Sequence, residues 1–226
     1  MTNKKEANVM ENIISLAKRR GFIFQGSEIY GGLAGTWDYG PLGVALKNNI
    51  KNLWWKRFVS DREDIFGMDA SIIMNQNVWK ATGHAQGFSD PMVECGKCKR
   101  RFRADHVGEK ISGNSYQLYS SCPNCHESGD LWRLAGTDAK QFNMMFETHV
   151  GATQDENSLS YLRPETAQGM FVNFKNILDS QHPKLPFGMA QVGKAFRNEI
   201  APRDFLFRAR EFEQMEIEYF VHPDNW

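Results

Sequence analysis

Apolar residues recur at intervals of three and four at Val9, Ile13, Leu16 and Ala17. That spacing predicts an amphipathic helix over residues 4–20, with Gly21 as its stop and Asn3 and Glu6 spaced as a capping box. Phe22, Ile23 and Phe24 predict a short strand, and glycines at 31, 32, 35 and 40 mark the loop that follows. Pro41 suits a first helical position, where the missing N–H would be unsatisfied anyway. Leu42, Leu46, Ile50, Leu53 and Trp54 carry one apolar face onward, so residues 41–58 read as a helix long enough for an interface or a core. Ile72 to Met74 predict a strand, and the apolar set within 162–176 predicts a helix after Pro164.

The last stretch changes from helical to alternating period. Two strands are predicted, near residues 187–198 and 207–221, joined by a turn containing Ala201-Pro202-Arg203-Asp204. In the second strand Phe212, Gln214, Glu216 and Glu218 share one face, and Met215, Ile217 and Tyr219 share the other. The second set predicts a core face. The first, an aromatic followed by three polar groups, fits a ligand floor, and equally a salt-bridged hairpin with an exposed Phe212. In the first strand Gln191, Gly193, Ala195 and Arg197 share a face on which small residues leave room beside the arginine. As a floor for a nucleotide, Arg197 could stabilise charge building on a phosphate, Phe212 could stack on a purine, and Arg208 could reach the outer phosphates.

Composition narrows the partners only slightly. The 226 residues suffice for one large domain, or one domain plus a small module. Lys plus Arg equal Asp plus Glu at 27 each, so the net charge points to no polyanion, although a local basic patch can bind nucleic acid without it. No apolar run approaches the ~20 residues a bilayer needs, and the charged N-terminal stretch lacks the apolar core of a signal peptide. No membrane partner and a cytoplasmic location are the expectation.

The four cysteines form two knuckles, Cys95-Gly-Lys-Cys98 and Cys122-Pro-Asn-Cys125. Each knuckle can aim two thiolates at one ion, and together Cys95, Cys98, Cys122 and Cys125 complete a closed tetrahedral shell, as for a structural Zn²⁺. The competing reading is a redox or disulfide pair. His106 and His126 lie nearby but are not needed as ligands. Between the knuckles the chain turns polar and basic and its apolar residues thin out, so the span reads as an inserted module held by something other than a core. Lys97, Lys99, Arg100, Arg101 and Arg103 crowd one knuckle as a nucleic-acid-facing patch or merely a solvated face.

FRNE at 196–199 and FRAREFEQMEIEYF at 207–220 resemble motif 2 of the class II aminoacyl-tRNA synthetases, in the wording of the glycyl-tRNA synthetases. Tyr161-Leu-Arg-Pro-Glu-Thr-Ala-Gln-Gly169 resembles that family's amino-acid-binding segment. Gly35-Thr-Trp-Asp-Tyr-Gly-Pro-Leu-Gly43 with its helix resembles motif 1, the dimer-forming element. Trp79-Lys-Ala-Thr-Gly-His84 resembles a Trp…Gly-His element of several class II members, and the cysteine module ending in Phe102-Arg103-Ala-Asp105 matches bacterial-type members. The resemblance covers nearly the whole chain, with its motifs in family order.

The resemblance implies an α+β fold, a class II synthetase-type antiparallel sheet flanked by helices, with an inserted zinc-knuckle module. Residues 1–94 would carry motif 1, residues 95–126 the four-cysteine zinc-binding module, and residues 127–226 the glycine-binding segment and motif 2. It implies an enzyme that joins glycine to ATP as glycyl-adenylate, then passes glycyl to the 3′ end of tRNA(Gly), as a homodimer through the motif 1 helix. Arg197 falls on the α-phosphate contact and is the implied catalytic residue, and Phe212 falls on the adenine-stacking position. Asn198, Glu199, Phe207 and Arg208 fall on further ATP contacts. Glu165 takes the glycine ammonium, with Arg103, Arg163, Phe212, Gln214 and Glu216 as further substrate contacts and Mg²⁺ arriving with ATP. Parity prefers Glu216 to Glu213, since Glu213 lies on the opposite strand face.

A glycine pocket gains nothing from a side chain, so it must grip the ammonium and carboxylate and exclude anything larger. The family's third motif, its Mg²⁺-holding acids and its anticodon-binding domain do not follow within these residues. The expectation is a truncated portion with an incomplete catalytic domain and little activity by itself. The alternatives are another class II member (prolyl, seryl or threonyl), a non-catalytic zinc-stabilised RNA-binding portion, and a redox or metal-sensing protein.

Overall fold

The computed structural model describes residues 2–129, 132–133, 139–156, 158–202 and 205–224, with side chains from Val9 onward and without that of Arg133. The side chains of the Asn3/Glu6 capping pair and the Arg203-Asp204 part of the predicted turn therefore lie outside the description. The chain divides into two compact units, one of residues 1–74, 162–196 and 203–226 and one of residues 75–161 and 197–202.

The first unit is built on a sheet of three strands, Glu211–Phe220, Phe187–Phe196 and Ile65–Gly67, in that order. Phe187–Phe196 and Glu211–Phe220 pair antiparallel over ten residues, from Phe187↔Phe220 to Phe196↔Glu211. Ile65–Gly67 joins parallel to Gly188–Ala190, so this sheet is mixed rather than purely antiparallel. The helix Ala167–Gln181 covers one side, and its Met170, Phe174, Ile177 and Leu178 repeat at helical spacing. They pack with Phe187, Met189 and Phe220. On the other side Val59, Ile65 and Ala190 are buried against Trp54, Trp55 and Ile217. Gly67 is required there, since a Cβ would stand 2.4 Å from the Trp55 ring.

The predicted elements form with shifted ends. The first helix spans Thr2–Arg19, and Val9, Ile13 and Leu16 on its apolar stripe remain exposed. The second begins at Pro41 as expected but keeps α geometry only to Trp55, then widens into a π turn over Lys56–Ser60. Ile72 to Met74 form no strand; Ile73 alone bridges to Leu162. The second hairpin strand starts at Glu211, not near 207, because Phe205–Arg208 wind into a 3₁₀ turn and the Arg210 backbone N–H is taken by the Gly35 carbonyl at 2.7 Å. The predicted core face of that strand is only partly covered. Ile217 packs inward, but Met215 is 39% and Tyr219 44% exposed, on an edge strand with one sheet neighbour.

The second unit centres on strand Ser89–Cys95, which pairs with Arg101–Arg103, Trp132–Arg133 and Lys140–Asn143. A hairpin, Gly108–Ser112 with Ser115–Leu118, lies beside the same region in sequence. The cysteine span does own a core, contrary to its composition. Val93, Cys95, Phe102, Ala104, Val107, Cys122 and Ala139 are buried together, with Trp132, Tyr116 and Leu118 against them. Val93, Trp132 and Ala139 come from outside the span, which is why composition within it did not reveal the cluster.

Gly43 in the second helix faces the backbone of Phe22, and a Cβ there would lie 1.9 Å from the Phe22 carbonyl oxygen. Gly43→Ala is therefore expected to destabilise the protein by about 1–3 kcal/mol in urea unfolding. Helix propensity alone would favour alanine by about 1 kcal/mol, so the clash decides the sign.

Candidate functional site

The antiparallel register stacks Gln191 beside Glu216, Gly193 beside Gln214 and Ala195 beside Phe212 on one face of the hairpin. Over this face comes the segment Leu162–Gln168. Thr166 stands at the N-cap of the Ala167 helix but makes no cap bond. Its hydroxyl instead donates to Glu216 Oε2, so a group that would ordinarily stabilise the helix start is committed to the carboxylate. Gln168 Nε2 donates to Glu165 Oε1 at 2.6 Å. Glu165 and Glu216 are both half-buried and are brought into one neighbourhood with Glu218. Burial first, then the charges of Glu216 and Glu165, push the Glu218 carboxyl above its usual range. Such a group of acids favours a bound cation.

Arg163 is buried on this face at 1% exposure, donating through Nε to the Lys194 carbonyl and through Nη1 to the Ala70 carbonyl, both at 2.7 Å. Burial pulls its pKa below the ordinary arginine value while Asp69 opposes the shift. Gly193 makes room for it, since a Cβ would stand 2.3 Å from Arg163 Nη2. Gln191 Nε2 donates to Asp69 Oδ1 at 3.2 Å. The amide oxygens of Gln191 and Gln214 are buried and have no hydrogen-bond partner among the described residues. Phe207 lies 81% exposed in the 3₁₀ turn.

Glu213 points to the opposite face, where Lys47 and Lys51, one turn apart on the Pro41 helix, hold it at 2.6 and 2.9 Å. Burial raises its pKa, but the two lysines outweigh this and leave it below the usual carboxylate value.

Arg197, Asn198 and Glu199 follow the end of the hairpin strand and belong to the second unit. The Arg197 guanidinium lies over the Phe88 ring, 5.6 Å from its centre. Arg103 makes a fork to Asp105, with Nε to Oδ1 at 3.0 Å and Nη2 to Oδ2 at 2.8 Å, and reaches Asp90 through Nη1 at 2.6 Å. The Asp105 bonds first, and then Asp90, Asp105 and Glu199 as nearby charges, raise its pKa against the cost of burial. Its charge is therefore already answered by carboxylates.

The four cysteine sulfurs all lie within 4.8 Å of one another, with Cys95 to Cys125 at 3.9 Å and Cys98 to Cys122 at 3.8 Å. These separations exclude disulfides here. A tetrahedron of Zn–S bonds about 2.3 Å long has edges of about 3.8 Å, so the thiols fit such an ion. Both knuckles are built alike: Lys99 N–H bonds the Cys95 carbonyl and His126 N–H bonds the Cys122 carbonyl, each at 2.9 Å. Lys99 and His126 each take a left-handed φ, 59° and 57°, to close the turn. His126 and His106 are exposed. The Arg100 backbone N–H holds Cys98 down to about 6. Cys125 is lowered by the Glu127 backbone N–H, yet burial and the neighbouring thiols raise it to about 11.

Residues 145–226 match the model of the class II core domain of tRNA synthetases (G, H, P, S and T). The glycine–tRNA ligase of Borreliella afzelii is 56% identical over 220 residues, covering 96% of this chain and 46% of that protein. The Clostridium acetobutylicum glycine–tRNA ligase is 51% identical over 97% of this chain and 50% of that protein. The chain is thus similar over nearly its whole length to the glycine–tRNA ligases, and its residues 145–226 match the class II tRNA synthetase core. It spans about half the length of the curated relatives it matches. Two solved synthetase structures share the fold at low identity. The RNA-binding domain of threonyl-tRNA synthetase from Cryptosporidium parvum covers 92% of this chain and 36% of that one, at 18% identity and a TM-score of 0.55. Prolyl-tRNA synthetase from the same organism covers 89% and 28%, at 12% identity and a TM-score of 0.51. The family's α+β fold with antiparallel pairing is the one found here.

Thr166 and Gln168 escaped the sequence reading as members of this site. Both lie inside the Tyr161–Gly169 segment, so that segment was the available signal, whereas strand parity had already put Gln191 on this face. Among the described residues no helix is long and apolar enough to cross a membrane.

Two outcomes follow from this geometry. Glu213→Gln is expected to cost about 0.5–1 kcal/mol of unfolding free energy at pH 7, a figure kept low because the pair is partly solvated. Because the Glu213 pKa is depressed on folding, its contribution exists above the unfolded value and disappears as pH falls, so wild type and variant should converge below about pH 4. Cobalt(II) titrated into metal-free protein should give the absorption of a tetrahedral thiolate complex at the four cysteines, and Cys122→Ser should weaken it by at least about tenfold.

Proposed function

We propose that this chain forms the amino-acid-binding and ATP-binding portion of a cytoplasmic glycine–tRNA ligase. The observation that carries the reading is the convergence of Glu165 and Glu216, one braced by Gln168 and the other by Thr166, beside the register-paired face that ends at Phe212. Acceptors crowded around a small half-buried space suit an ammonium group. A close wall made by the buried Arg163 over Gly193, with Ala195 on the same face, suits a substrate without a side chain.

In this reading Glu165 and Glu216 hold the glycine ammonium, and Gln214 lines the same face. Glycine's carboxylate then attacks the α-phosphate of ATP in line, and pyrophosphate leaves. Arg197 stabilises the charge that builds on the α-phosphate, Phe212 stacks on the adenine, and Asn198, Glu199, Phe207 and Arg208 serve the remainder of the nucleotide. Mg²⁺ arrives with ATP as part of that substrate. Glycyl is next transferred to the 3′ end of tRNA(Gly), with Arg103 on the substrate side. The four-cysteine cluster would hold Zn²⁺ as a closed structural site, whose chemistry is to cross-link the two knuckles. The exposed Leu42, Leu46, Ile50 and Leu53 on the Pro41 helix supply a continuous apolar stripe for homodimerisation.

Calorimetry with a non-hydrolysable glycyl-adenylate analogue tests the reading. Wild-type protein is expected to bind it, Glu216→Gln to weaken it by about tenfold or more, and the alanyl analogue to bind distinctly less well. Equal affinity for the glycyl and alanyl analogues would refute the assignment, as would binding of a tRNA acceptor stem by protein that takes up neither analogue.

A further inference from the structure

The rings of the Trp79-Lys-Ala-Thr-Gly-His84 element run toward one of the proposed substrate contacts. Trp79 is fully buried, and its ring centre lies 5.7 Å from that of His84 in an edge arrangement. His84 lies 5.3 Å from Phe88, and the guanidinium of Arg197 stands over Phe88 at 5.6 Å. The order of the column is indole, imidazole, phenyl, guanidinium, and all four groups belong to the second unit. His84 is itself oriented. The Thr82 hydroxyl donates to the Val78 carbonyl at 3.0 Å, so it accepts from His84 Nδ1–H at 2.8 Å.

The backbone ties the far end of the column to Arg197. Met144 N–H donates to the Phe88 carbonyl at 3.0 Å, and the Met144 carbonyl accepts from Asn198 N–H at 2.7 Å. A single residue therefore sets the spacing between Phe88 and the residue after Arg197. The strand has ended at Phe196, so sheet pairing no longer directs the Arg197 side chain. A ring beneath the guanidinium can replace that direction. It attracts the cation through its face, a contact that does not itself use the N–H donors lying in the guanidinium plane.

We infer that Phe88 is a positioning residue for Arg197, and that the Trp79–His84 element serves the nucleotide site by holding Phe88 in place. The inference rests on the proposed role of Arg197 at the α-phosphate, and its test separates the two. Affinities of the protein for AMP and for adenosine are measured by calorimetry, since only AMP offers a phosphate. Proton NMR of the Arg197 δ-methylene group reports ring-current shielding from Phe88 without any ligand. Phe88→Leu is expected to abolish that shielding and to reduce the AMP-over-adenosine preference by about three- to tenfold, with adenosine affinity unchanged. Phe88→Tyr should retain both. Arg197→Ala should remove the preference altogether. If Phe88→Leu keeps the preference while Arg197→Ala loses it, the positioning role is overturned and the Arg197 assignment stands. If Arg197→Ala leaves the preference intact, the Arg197 assignment fails, and unshielded Arg197 protons in the wild type would remove the column itself.

Discussion

The register of the ten-residue hairpin governs the first unit. Phe187 opposite Phe220 anchors one end in the aromatic cluster with Phe174, and Ala195 opposite Phe212 ends the other. A strand slipped by a single residue would exchange its two faces. Met215 or Ile217 would then meet Thr166, and Phe212 or Gln214 would meet Lys47 and Lys51. Correct pairing is enforced from both sides, by the lysine pair on one face and by the Thr166 hydroxyl on the other. The same interactions that stabilise the sheet therefore decide which carboxylate faces a ligand.

The second unit rests on a different device. Its small core has Cys95 and Cys122 at its centre, and the sulfurs extend it to Cys98 and Cys125. Four thiols at these separations repel as anions and need a cation to ionise together. Thiol ligation and hydrophobic packing thus share the same residues here. Arg103 extends from a strand of that core into the carboxylates of Asp90 and Asp105.

Local chemistry was legible where a residue's role depends on near neighbours in the chain. The paired knuckles announced a four-thiol cluster, and Pro41 announced a helix start. Strand alternation separated Glu216 from Glu213 before any contact was known. What stayed hidden depended on distant partners. Met215 and Tyr219 alternate as core residues should, but no element covers that part of the edge strand. Composition between the knuckles concealed a core completed by Val93, Trp132 and Ala139. Phe88 carries no periodic signal, and its relation to Arg197 passes through Met144, far from either in sequence.

The sequence by itself determined the kinds of groups available and the family they resemble, because motif spacing and side-chain parity are properties of a local backbone. It also determined the need for glycine at positions such as 193, though not the reason. The tertiary structure alone decided that Arg163 would be buried over Gly193, that Thr166 would hold Glu216 rather than cap its helix, and that a phenyl ring would lie beneath Arg197. Each of those outcomes is a contact between segments whose relative placement no local rule specifies, and each is set by which surfaces can be buried together without leaving charge unanswered.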